Sequence, residues 1–172
     1  DRMAKEFGEQ CYEVPVGFKH ISAKMYATDA VIGGESSGGL TVRGHIKGKD
    51  GIYAAALLIE MLAVTGKKMS QIAEEIEEKY GKIFMEERDY KFNQEKKEHI
   101  KKILLEDKKM PQIPYEIDHV SYLDGCKVYF ANGGWVTARF SGTEPLLRIF
   151  CEMPEEEAAK KVCKIYEDFL GL

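Results

Sequence analysis

The sequence predicts a partial three-layer α/β unit followed by an α+β unit, an antiparallel sheet with helices on one face. Three observations predict it. Up to residue 81, short apolar strand candidates alternate with helices, the order of an α/β layer arrangement. Residues 116–151 instead break into short strands punctuated by hairpin dipeptides. Amphipathic helical patterns flank that second stretch. The texture changes between residues 81 and 92, which divides the chain into 1–82 and 83–172.

Asp1 to Phe7 is helical, residues 11–14 are a strand candidate, and Gly17 opens a helix through Met25. Ala30 to Ile32 is a second short strand. The run Gly33-Gly34-Glu35-Ser36-Ser37-Gly38-Gly39 is a loop, because each glycine would cost a helix about 1 kcal/mol. Tyr53 to Val64 carries one charge, Glu60, and predicts a helix buried on several sides. Gly66 ends it, and Ser70 caps the next helix. That helix exposes Glu74, Glu75, Glu77 and Glu78, buries a stripe of Ile72, Ala73, Ile76 and Tyr80, and stops at Gly81. The strands are too few for a complete α/β domain, and the chain opens inside a helix without an initiator Met. Both point to a piece of a longer protein.

In the second unit, Ile83 to Phe92 is a strand and Gln94 to Leu105 an amphipathic helix with Ile100, Ile103 and Leu104 inside. Strands follow at about 116–123, 126–131, 134–140 and 147–151, with turns at Asp124-Gly125 and Asn132-Gly133. Pro154 and Glu155 to Glu157 start a last helix with Val162, Ile165, Tyr166 and Phe169 inside.

The 172 residues are 44% hydrophobic with a formal net charge of -4. A net acidic chain without an aromatic–basic motif is a poor ligand for nucleic acid or anionic membrane. No apolar run reaches the length of a membrane span, and no signal peptide is visible. Cys11, Cys126, Cys151 and Cys163 form no C-x-x-C pair. They are expected to be reduced, buried thiols of a cytoplasmic protein, and their spacing argues against zinc.

Three segments carry candidate chemistry. In the Gly33–Gly39 loop, Glu35 can accept hydrogen bonds from two sugar hydroxyls and Ser37 can add another. The alternative is a glycine-rich surface connector. In Arg139-Phe140-Ser141-Gly142-Thr143-Glu144-Pro145, Arg139 offers a bidentate fork to phosphate. Ser141 and Thr143 add hydroxyls, and Gly142 can turn backbone N–H groups toward one anion. Glu144 repels phosphate, so it orients an arginine or meets a hydroxyl; Arg148 follows closely. The alternative is a polar hairpin whose arginine pairs with Glu144. Between these loops, Lys47 and Lys49 can neutralise phosphate charge. Lys49 precedes the apolar helix, near its positive end, a position that is expected to suit proton transfer. His45 either contacts substrate or packs on the loop, and the whole segment is alternatively a solvated basic turn.

Taken together, these segments resemble the alpha-D-phosphohexomutases, the phosphoglucomutase and phosphomannomutase family. Glu35-Ser36-Ser37-Gly38 is similar to the family's G-E-x-S-G sugar loop. Arg139 to Pro145 is similar to its R-x-S-G-T-E-P phosphate loop, and His45 to Gly51 to the H-I-x-x-K-D-G stretch of glucose-type members. Gly17-Phe18-Lys19 resembles a stretch upstream of the sugar loop, which adds Lys19 to the substrate-binding candidates. The resemblance implies a four-domain enzyme, with residues 1–82 the carboxy-terminal part of domain three and 83–172 domain four. It implies a TATA-box-binding-protein-like architecture for the latter. It also implies a phosphoryl shift between C1 and C6 of a hexose phosphate through a phosphoserine and a hexose bisphosphate, which serves as activator. The phosphoserine and the Mg2+ loop would lie on missing amino-terminal domains, so the isolated chain is expected to be inactive. Arg139, Ser141 and Thr143 would clamp the phosphate that is not reacting, Glu35 and Ser37 would grip sugar hydroxyls, and Lys49 would act as acid/base with Lys19 and His45 in support. Lys47, Gly142, Glu144 and Arg148 complete the implied substrate-binding set. Gly39 stands where some dual-specificity members have His, so their histidine relay does not transfer. Mannose, glucosamine or N-acetylglucosamine phosphates are alternative substrates, and a non-catalytic sugar-phosphate binding module is an alternative role.

Overall fold

The computed structural model describes residues 1–142 and 144–172. Thr143 lies outside the described residues. The chain forms two compact units, Asp1–Tyr80 and Gly81–Leu172.

The first unit contains α1 (Arg2–Glu6), α2 (Phe18–Thr28), β1 (Ile32–Gly34), β2 (Leu40–Val42), α3 (Gly51–Thr65) and α4 (Met69–Tyr80). Residues 11–14 are irregular and form no strand. An apolar alternation without a partner has no ladder to satisfy its backbone. β1 lies further along than Ala30–Ile32, because pairing with β2 sets its limits: Ile32, Gly33 and Gly34 oppose Val42, Thr41 and Leu40 in an antiparallel hairpin. Among the described residues of this unit the sheet is that two-stranded hairpin, not a parallel sheet layered between helices.

α3 starts where Asp50 accepts a hydrogen bond from the Tyr53 N–H (3.0 Å) and ends at Gly66, whose φ is 67°. Its apolar composition predicted burial on several sides, and this is corrected. No residue of α3 is buried, and Ile52 and Val64 are 87% and 81% exposed. The other elements of the unit do not cover those faces. α4 begins one residue before Ser70, which therefore lies inside the helix, and Gln71 accepts from the Lys68 N–H instead (2.9 Å).

The second unit contains β3 (Phe84–Lys91), α5 (Gln94–Lys101), a π-helical turn (Lys102–Glu106), β4 (Ile117–Ser121), β5 (Cys126–Phe130), β6 (Trp135–Phe140), β7 (Leu146–Met153) and α6 (Glu156–Leu170). Both hairpin glycines adopt positive φ, 83° at Gly125 and 87° at Gly133, as tight turns require. The sheet runs β3-β7-β6-β5-β4 and is antiparallel throughout.

Strand alternation sets the layers. Cys126, Val128 and Phe130 of β5 face inward, as do Leu147, Ile149, Cys151 and Met153 of β7. They pack with Ile100, Leu104, Ala159, Val162, Cys163, Tyr166 and Leu170 from the helical segments in one core. The expected burial of the cysteines is corrected at one position: Cys11 is exposed, while the other three are buried. On β3, Arg88 bonds Glu86 and Glu167 (2.9 Å each), and the Tyr90 hydroxyl donates to Glu167 (3.1 Å). That cluster ties β3 to α6.

An α/β unit followed by an antiparallel-sheet unit is therefore observed, but the TATA-box-binding-protein-like architecture is not. The sheet does not curl into a saddle. It ends at two open edges, β3 and β4, and β4 adds only a short pairing with an irregularity between Ile117 and His119.

Candidate functional site

In the first unit, the turn between β1 and β2 presents Glu35, Ser36, Ser37 and Gly38. The Glu35 N–H donates to the Gly39 carbonyl (2.8 Å), and the Gly38 N–H donates back to the Glu35 carbonyl (3.0 Å). The buried Thr41 donates its hydroxyl to the Ile46 carbonyl (2.5 Å), and Ser22 on α2 reaches the Lys47 carbonyl. These bonds fix the 43–49 segment beside the turn.

Lys49 is thereby brought to Glu35, with Nζ 3.0 Å from Oε2. The carboxylate is the more enclosed partner, 18% exposed against 56% for the lysine side chain. His45 is held on two sides. Its Nε2 lies 3.0 Å from Asp50 Oδ2, and its ring stacks on Tyr53 at 3.8 Å. The Tyr53 backbone bond, followed by the His45 bond, holds the Asp50 carboxyl below its ordinary pKa. Lys47 places Nζ 3.9 Å from the centre of the Tyr26 ring. Lys19 and Ser37 are exposed and are not drawn into this cluster. Asp50 was not singled out in sequence, although an Asp directly before an apolar helix is an N-cap signal.

In the second unit, the turn from β6 to β7 is closed by hydrogen bonds from the Ser141 N–H to the Leu146 carbonyl and from the Leu146 N–H to the Glu144 carbonyl (2.9 Å each). The Glu144 N–H points to Ser141 Oγ (3.3 Å), so it turns into the loop. Gly142 is exposed at the tip. Phe140 and Phe92 meet edge to face at 5.5 Å beneath it. Arg139 and Arg148 are direct cross-strand partners. Glu144 pairs with Arg148 (3.5 Å), not with Arg139, and Asp89 of β3 approaches Arg148 Nε at 3.7 Å. Among the described residues Arg139 makes no ion pair. Asp89 was also missed in sequence, since nothing local marks it as a neighbour of Arg148.

Among the described residues, no group of three or more His, Cys, Asp or Glu side chains could hold a metal ion. The Mg2+ that the resemblance implies finds no ligand set among the described residues. No helix of the described residues is long and apolar enough to cross a membrane.

A turn with a carboxylate facing a lysine offers groups that can meet sugar hydroxyls, and a second turn over paired arginines offers donors that can meet a phosphate. Comparison with known proteins gives the class. Residues 1–80 match the phosphoglucomutase/phosphomannomutase alpha/beta/alpha domain III, and residues 62–168 match the C-terminal domain of the same family. The chain belongs to the phosphoglucomutase/phosphomannomutase family. It is 32% identical over 166 residues to a phosphoglucomutase/phosphomannomutase of Thermococcus kodakarensis, covering 96% of this chain and 34% of that protein. It is 30% identical over 175 residues to a phosphoglucosamine mutase of Acetivibrio thermocellus, covering 99% of this chain and 35% of that protein. Among solved structures, a phosphomannomutase candidate from Thermus thermophilus superposes with a TM-score of 0.75 at 26% identity, over 100% of this chain and 34% of that one. The chain spans about a third of the length of the curated relatives it matches.

Proposed function

We propose that these residues are the sugar- and distal-phosphate-binding part of a phosphohexomutase, a glucose-type enzyme that interconverts hexose 1-phosphate and hexose 6-phosphate. The single observation that carries it is the Arg139–Arg148 pair. Like charges directly opposed across a ladder destabilise a sheet. Asp89 and Glu144 offset Arg148, while Arg139 makes no ion pair among the described residues, and a bound anion would offset its charge. Arg139 brings a planar fork that matches two phosphoryl oxygens, and Ser141 adds a hydroxyl. Thr143 belongs to the same motif and is proposed on that ground alone.

The rest of the reading follows the chemistry. The phosphoryl group moves from a phosphoserine to the sugar, and the bisphosphate turns over and returns its other phosphoryl group. The chain must therefore hold either end of one sugar. Arg139 and Arg148 clamp whichever phosphate is not reacting, Glu35 accepts from sugar hydroxyls with Ser37 beside it, and Lys49 moves a proton at the reacting oxygen. His45, fixed by Asp50, and Lys47 and Lys19 line the sugar side. Catalysis then comes mostly from positioning and charge stabilisation. The phosphoserine and Mg2+ are supplied by amino-terminal domains of the whole protein, so residues 1–172 alone do not turn over substrate.

The test is calorimetric binding of glucose 1-phosphate to the full-length protein and two variants. Arg139→Ala should weaken binding about 10- to 100-fold, the scale of a lost charge-assisted bidentate contact. Arg139→Lys keeps the charge but not the fork, and should remain impaired. Unchanged affinity in both would refute the phosphate assignment. Turnover measured in parallel with glucose, mannose and glucosamine 1-phosphates assigns the sugar, since relatives named for all three types of activity match this chain.

A further inference from the structure

The outer face of the second sheet carries a row of charges. Asp89 on β3, Arg148 on β7 and Arg139 on β6 are successive cross-strand partners, so their side chains share one face. Arg148 is flanked by two carboxylates. Its Nε lies 3.7 Å from Asp89 Oδ1, and its Nη2 lies 3.5 Å from Glu144 Oε2. The 3.7 Å contact is too long for a hydrogen bond and the other is at the limit. Arg148 Nε is moreover buried without a hydrogen-bond partner among the described residues. Asp89 thus attracts this guanidinium by charge while leaving its donors uncommitted.

We infer that Asp89 is a positioning residue for phosphate recognition, holding Arg148 beside Arg139 so that both present their donors to one phosphate. The inference rests on reading the Arg139 loop as a phosphate site. An arginine side chain loses much rotamer freedom when it is fixed. Of the two carboxylates beside Arg148, only Glu144 remains once Asp89 is removed, and Glu144 sits on the exposed turn itself. The side chain then follows the turn instead of the sheet.

The sign of the effect separates positioning from simple electrostatics. Asp89 is a negative charge close to where a phosphate would sit. By Coulomb repulsion alone, its neutralisation would tighten phosphate binding. By positioning, its neutralisation loosens it.

The experiment measures the affinity of the full-length protein for inorganic phosphate and glucose 1-phosphate at fixed ionic strength. It compares Asp89→Asn, Asp89→Glu and Arg139→Ala. Asp89→Asn should bind both ligands about fivefold more weakly, because charge-assisted contacts through Arg148 are lost in part. Asp89→Glu keeps the carboxylate and should stay within about twofold of the parent, with thermal midpoints unchanged in both. Unchanged or tighter binding in Asp89→Asn, or equal loss in Asp89→Glu, would overturn the inference while Arg139→Ala still weakens binding. If Arg139→Ala leaves both affinities intact, the phosphate reading itself falls, and the role of Asp89 with it.

Discussion

Lys49 and Glu35 form their 3.0 Å ion pair directly over Gly39. A Cβ at position 39 would stand 2.6 Å from Lys49 Cδ and 2.9 Å from Glu35 Oε2. Any side chain there must displace one partner. Gly39→Ala is expected to separate the pair and weaken glucose 1-phosphate binding about 3- to 10-fold, the scale of one displaced polar contact. Titration calorimetry on the full-length variant checks this, and parental affinity would show that the pair does not shape the sugar site.

Lys49 itself is expected to act in the transition state more than in capture. Lys49→Met preserves much of the side chain's length and removes the ammonium. Turnover of the full-length enzyme should fall at least about tenfold, with a smaller change in substrate affinity. A rise in KM at constant kcat would make Lys49 a binding residue instead.

Tyr166 offers a test of the core. Its ring and hydroxyl are buried between α6 and the sheet, and the oxygen has no hydrogen-bond partner among the described residues. Burial pushes its phenol pKa up. Tyr166→Phe removes an unsatisfied polar atom without opening a large cavity, so stability should be unchanged or rise by about 1 kcal/mol. Chemical denaturation measures it, and a loss above that size would mean the hydroxyl is satisfied in solution.

Glu167 gives the pH dependence a sign. A hydrogen bond from Lys164, with others from Tyr90 and Arg88, holds its carboxyl below the ordinary value. Folding therefore favours the deprotonated form. The contribution is complete above the unfolded carboxylate pKa of about 4.3 and is lost as pH falls through the lower folded value. The stability gap between the parent and Glu167→Gln should thus be widest near neutral pH and shrink in acid. A gap that widens as pH falls would contradict the assignment.

Local signals made much of the second unit legible. Asp124-Gly125 and Asn132-Gly133 mark turns that only particular backbone angles allow, and the strands between them follow. The first unit was harder. β2 is three residues long, too short for a period to register, and the burial of α3 was inferred from composition although burial depends on what packs against it. The site motifs were visible in order, but their contacts were not. Glu35 meets Lys49 only because Thr41 and Ser22 fold the intervening segment back. Asp89 reaches Arg148 only through the β3–β7 ladder. The saddle expectation came from the family resemblance and not from any strand pattern, and the open β3 and β4 edges of the sheet correct it.

The β3–β7 pairing also sets the order in which this sheet can be completed. A ribosome releases β3 before the helix and the three strands that precede β7 in sequence. β3 has its ladder partner in β7, and it docks on α6 through Arg88 and Glu167. Such distant pairing bears its loop-closure entropy before any contact rewards it. A nascent chain halted before Leu146 leaves β3 without its ladder partner and open to other chains until Leu146–Met153 follow.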